Sequence, residues 1–166
     1  MRVDCANSSP FPYRPIWYRP VIVKPILDVD RLDRFQRSME RCLADTTFLS
    51  RFYARFLLSS DEVARLFENT DMKKQAEILK RSLYLVLRAA HGLEDGVEHL
   101  VQVRHTHGSR GLKIGAHLYQ HWLDTLLTAA EETDPRWDDE LHEIWRGALQ
   151  PCIDVIVGDD SEASGG

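Results

Sequence analysis

Apolar residues recur along this chain at intervals of three and four, the spacing that gathers them on one face of a helix. Leu32, Phe35, Met39 and Leu43 form the first such stripe. Phe48, Leu49, Phe52, Phe56 and Leu57 form the second, with Thr46 or Thr47 placed to start it. Ser59 followed by Glu62 fits a reciprocal N-terminal cap and predicts a short helix ending near Phe67. Asp71 is a good cap for a long helix reaching about residue 90, carrying Met72, Gln75, Ile78, Leu79, Ser82, Leu83, Val86 and Leu87 at helical spacing.

Gly92 and Gly96 predict a break, followed by a shorter helix over about 97–104. Gly108, Gly111 and Gly115 predict a turn region, then a helix over about 116–132. Asp134 with Pro135 predicts the start of the last helix, because proline suits a first helical turn. That helix continues past Trp145 to about residue 157, kinked or shortened at Pro151. No alternating strand pattern competes, so the expected fold class is all-α.

The two ends read differently. Residues 1–27 hold five of the seven prolines, at Pro10, Pro12, Pro15, Pro20 and Pro25. Such spacing forbids helix and favours extended backbone. Phe11, Tyr13, Trp17 and Tyr18 are interleaved with Arg14 and Arg19 in this arm. Its first expected role is packing along its own domain, with docking of a partner and a loose tail as the alternatives. Residues 158–166 are acidic and rich in small residues, the composition of a disordered, solvated tail. The expected division is therefore an arm (1–27), a helical domain (28–157) and a tail (158–166).

Composition narrows the function. A chain of 166 residues that is 43% hydrophobic suits one domain with a sizeable core. A net charge of −5 without basic blocks argues against nucleic-acid and anionic-membrane binding. No apolar run approaches the roughly 20 residues needed to span a bilayer. Cys5, Cys42 and Cys152 lie far apart and form no disulfide framework. With a polar, proline-broken N-terminus, these features predict a cytoplasmic protein with reduced thiols.

The candidate chemistry lies among the histidines. Six of the seven lie from His91 to His121. His105-Thr106-His107 sits at a helix end before a glycine-rich turn, and a neutral imidazole there is a good ligand for iron or zinc. Residues two apart occupy different helix faces, so only one of His105 and His107 can point at a given metal. His117 and His121, four apart, can share a face and join either of them in a zinc site, although no cysteine or carboxylate stands at zinc-ligand spacing. His91, His99 and His142 read as surface or boundary residues.

Taken together, residues 30 to 157 resemble the globin family, above all short single-domain bacterial globins and sensor-type globins. The resemblance rests on combined spacing. Phe52-Tyr53 stands fourteen residues before Phe67, Gln75 is followed by Leu79 one turn on, and His107 lies thirty-two residues after Gln75. Gly111 and Leu112 follow His107, and Tyr119 and Trp122 open the next helix.

The resemblance implies a globin-like fold around haem b, with His107 as the iron ligand. Phe67 and Leu79 would wall the pocket, and Tyr53 and Gln75 would donate hydrogen bonds to a bound diatomic gas (O2, NO or CO). Tyr119 and Trp122 would complete the site, and Arg110 and Lys113 are candidates for the haem propionates. Two polar donors favour slow oxygen release, which suits sensing, scavenging or nitric-oxide dioxygenation more than transport. The dioxygenase reading requires an external reductase, since no GxGxxG is present. The sensor reading requires a signalling partner, and a homodimer is compatible with either. The alternative is a haem-free globin-fold protein or a helical zinc-binding module serving as an adaptor.

Overall fold

The computed structural model describes residues 25–107 and 114–158, and among them the chain forms seven helices and no strand. Asp28 caps α1 (Val29–Ala44), its carboxylate accepting the Arg31 N–H at 2.9 Å. Helix α2 (Phe48–Leu58) follows a turn closed by Asp45, which accepts both the backbone N–H and the hydroxyl of Thr47. Asp71 caps α4 (Met72–Ala90) by accepting from the Lys73 and Lys74 amides. These caps satisfy amides that have no partner inside the helix.

Four expectations need correction. The cap of α3 (Asp61–Leu66) is Ser60, not Ser59. Ser60 has the extended backbone that a capping residue needs, and its hydroxyl accepts from Glu62 and Val63. The Ser59 hydroxyl instead donates to the Phe56 carbonyl at 2.7 Å, finishing α2. Helix α5 spans Glu94–His107, well beyond 97–104. Gly92, with φ of 75°, makes the turn after α4. Gly96 makes no break: it lies inside α5, where a Cβ would collide with the α4 backbone at Leu85, Arg88 and Ala89. Asp134 does not open the last helix. It closes α6 (Ala116–Thr133), and α7 (Asp139–Val157) starts only after the cap at Asp138, with Pro151 carried inside it.

Helix α7 packs on α1, α4, α5 and α6, while α2 packs on α6 and α3, and α5 lies on α4. Phe35, Phe48, Phe52, Leu123, Leu126 and Trp145 are fully buried where these helices meet. One polar cluster crosses this core. Asp134, whose side chain is completely buried, accepts two hydrogen bonds from Arg41 at 2.6 and 2.7 Å and one from Ser38 at 2.5 Å. The Trp145 indole in turn donates to the Ser38 hydroxyl at 3.0 Å. α1, the end of α6 and α7 are thereby tied through groups that satisfy one another, and the described residues leave no buried side-chain polar atom unpaired.

The arm up to residue 24, the tail from 159, and the turn segment 108–113, which holds Arg110 and Lys113, lie outside the described residues. Among the described helices, none is long and apolar enough to cross a membrane.

Candidate functional site

His107 is the last residue of α5. Its carbonyl accepts the Ile114 N–H at 3.0 Å, so the chain re-enters beside the helix it has just left. α6 therefore begins against the end of α5 and brings Tyr119 onto the His107 ring. The Tyr119 hydroxyl lies 3.1 Å from His107 Nδ1. Nε2 makes no hydrogen bond among the described residues. Burial lowers the His107 pKa, because the charged imidazolium loses solvation, and the ring is neutral at neutral pH. His105, two residues earlier, is exposed.

Tyr53, Phe67 and Gln75 form a second group. Tyr53 on α2 is buried, with 7% of its surface exposed. Phe67, which closes α3, sets its ring against Tyr53 at 6.1 Å and Phe56 at 5.9 Å between centroids. The Tyr53 hydroxyl donates to the Gln75 backbone carbonyl at 3.4 Å, a long and therefore weak bond. Burial pushes Tyr53 up to about 12, outweighing that hydrogen bond, so its proton stays on. Burial does the same to Tyr119, also to about 12. The Gln75 side chain is half-buried, and Leu79, one turn along α4, belongs to the core.

The remaining candidates lie in the first turns of α6. Tyr119 and Trp122 are three residues apart and share a helix face. Tyr119 reaches His107, and the Trp122 ring meets Phe52 edge-on at 6.2 Å. The structure therefore brings five of the seven candidate residues into two contacting sets, His107 with Tyr119 and Tyr53 with Phe67 and Gln75. Trp122 is linked to Tyr53 only through Phe52, and Leu79 belongs to the core.

Sequence reasoning missed two contacts here. One is the Ile114 bond to the His107 carbonyl. The other pairs His117 Nε2 with Glu62 Oε2 at 2.7 Å, tying α6 to α3 across fifty-five residues. The first joins residues seven apart on either side of the glycine-rich segment, whereas the second depends on how distant helices meet and has no local signal. With His117 so engaged, the zinc arrangement of His117, His121 and His105 or His107 does not assemble. Among the described residues, no three His, Cys, Asp or Glu side chains are grouped to hold a metal.

The donor set that remains is one half-buried neutral imidazole with a free ring nitrogen and a second nitrogen held by the Tyr119 hydroxyl. That chemistry fits a haem, for which the protein would supply one imidazole nitrogen as the iron ligand. It does not fit a closed structural zinc site, which asks for four ligands.

No protein-family model matches the chain, and no curated protein matches it. A crystal structure of a protein from Pseudomonas aeruginosa PAO1, described as structurally highly homologous to a human hemoglobin, is similar to it. The two are 35% identical with a TM-score of 0.73, over 76% of this chain and 95% of that one.

Proposed function

The chain belongs to the globin family, and on that premise we propose that it binds haem b and, through it, a diatomic gas. The observation that carries this reading is the His107 ring: half-buried, neutral, anchored at Nδ1 by Tyr119, and open at Nε2. When bound, a haem iron supplies a coordination position for O2, NO or CO. His107 Nε2 is the nitrogen that would hold the iron. The ring proton then sits on Nδ1 and is donated to the Tyr119 oxygen, which fixes the tautomer and the tilt of the imidazole. Phe67 and Leu79 keep water away.

Tyr53 would be the hydrogen-bond donor to the gas. Its hydroxyl stays protonated, and its present partner, the Gln75 carbonyl, holds it weakly. The Gln75 amide, one turn before Leu79, is the second donor. Donors placed where negative charge gathers on a ligand stabilise it. Slow release follows, in keeping with sensing, scavenging or nitric-oxide dioxygenation.

Hemin titration of the purified full-length chain tests the reading. Saturation at one hemin per chain with an intense Soret band supports it. No Soret band from a chain with an intact helical circular dichroism spectrum would leave the haem-free alternative in its place.

A further inference from the structure

We propose that the outer face of α4 is the docking site for the chain's own N-terminal arm, specifically residues 17–24. α4 buries Leu79, Leu83, Val86 and Leu87. Away from that face, Ile78 and Tyr84 are 49% and 42% exposed, and Leu85 is half-buried. Glu77, Lys80, Arg81, Tyr84 and Leu85 line a groove of about 340 Å³ along this side. Single exposed apolar residues are ordinary, but Tyr84 and Leu85 line this groove together, and Ile78 lies two turns before Leu85 on the same helix face.

The occupant is argued from where the described chain begins. The Ile26 N–H donates to the Ala90 carbonyl at 3.0 Å, and Ile26 and Leu27 pack against the core. The arm is thus pinned to the C-terminal end of the helix that carries the groove. Along α4, Tyr84 lies about 9 Å from Ala90 and Glu77 about 20 Å, at 1.5 Å per residue. The arm's prolines favour polyproline II, which advances about 3.1 Å per residue. Counted back from Ile26, Ile22 falls at about 12 Å, Val21 at about 15 Å and Arg19 at about 22 Å. Apolar arm residues therefore come level with Tyr84 and Arg81, and Arg19 comes level with Glu77. Tyr18, at about 25 Å, comes level with Lys73 and Lys74, where a cation can sit over its ring. The register thus sets apolar arm residues beside Tyr84 and places Arg19 at Glu77, the acidic residue of the groove. This inference holds whether or not haem binds.

Limited chymotrypsin digestion of the full-length chain tests it, reading the rate of cleavage after Trp17 and Tyr18. Docking protects these bonds, and cleavage follows the undocked fraction. Tyr84→Asp and Glu77→Arg, both on the surface, are each expected to speed cleavage, the first by about tenfold, with helical circular dichroism unchanged. Val101→Asp, on the exposed side of α5, is expected to leave the rate alone. If Tyr84→Asp loses helix, Glu77→Arg decides. Equal rates in the wild type and Glu77→Arg overturn the proposal. So does protection that grows with protein concentration, which would assign the groove to a second copy of the chain.

Discussion

The His107 ring is held from α6: its Nδ1 lies 3.1 Å from the Tyr119 hydroxyl, and nothing else among the described residues hydrogen-bonds the imidazole. The histidine's orientation therefore depends on one phenol. Tyr119→Phe removes that oxygen and little else. Loss of such a supporting partner lowers metal affinity by about 10–100-fold. Hemin loss to an excess of scavenger is expected to accelerate by a factor in that range. An unchanged rate would mean that Tyr119 does not position the ligand.

Tyr53→Phe separates the gas from the fold. The bond it removes, to Gln75 at 3.4 Å, is weak, so stability is expected to fall by less than about 1 kcal/mol. A hydrogen bond to a charged acceptor is worth about 1.5–3 kcal/mol, so oxygen release is expected to quicken by about tenfold or more. Stopped-flow displacement of oxygen by carbon monoxide reads that rate. Equal off-rates in the two proteins would remove Tyr53 from the ligand side.

Asp134 contributes to the loss of stability in acid. Burial alone would raise its carboxyl, but hydrogen bonds from Arg41, Ser38 and the Arg136 amide, with the Arg41 charge, outweigh burial and hold it below the usual carboxylate range. A group depressed in the folded state stabilises the fold above its unfolded value, about 3.9, and that contribution is lost as pH falls through the folded value. Asp134→Asn is expected to cost about 2–3 kcal/mol at pH 7, slightly below a fully buried pair because Arg41 keeps 26% of its surface exposed. Urea midpoints at pH 7 and near pH 3 check both points. The wild type is expected to lose more stability on acidification than the variant.

Gly96→Ala tests the contact between α4 and α5. Alanine improves helix propensity by about 1 kcal/mol. Here its Cβ meets backbone atoms of Leu85, Arg88 and Ala89, which cannot step aside as a side chain tip can. Overpacking of this kind costs about 1–3 kcal/mol, so the melting temperature is expected to drop despite the better helix former. A rise in melting temperature would show that the helices have room.

Helices and caps were legible where the signal was local. The stripe Leu32, Phe35, Met39 and Asp71 before Met72 each concern neighbours three or four residues apart. The misplacements share one cause, a distant partner that changes what a local signal means. Asp134 before Pro135 looks like a helix start, yet its carboxylate is taken by Arg41 and Ser38, ninety-odd residues away. Gly96 looks like a breaker, yet it sits inside α5 because α4 presses on it. At the site, it was the resemblance of the spacing to that of globins that pointed to His107, Tyr53, Phe67 and Gln75. That Tyr119 meets His107, and that His117 is held by Glu62, follows only from how α6 lands against α5 and α3.

The central claim is that His107 holds a haem iron, and His107→Gly with imidazole rescue tests it most directly. The variant removes the ring and leaves room for a free imidazole to take its place. With hemin bound and reduced, the variant is expected to show a weakened or shifted Soret band, restored toward the wild-type spectrum by added imidazole. A variant spectrum identical to the wild type before any imidazole is added would contradict the claim and place the iron ligand elsewhere.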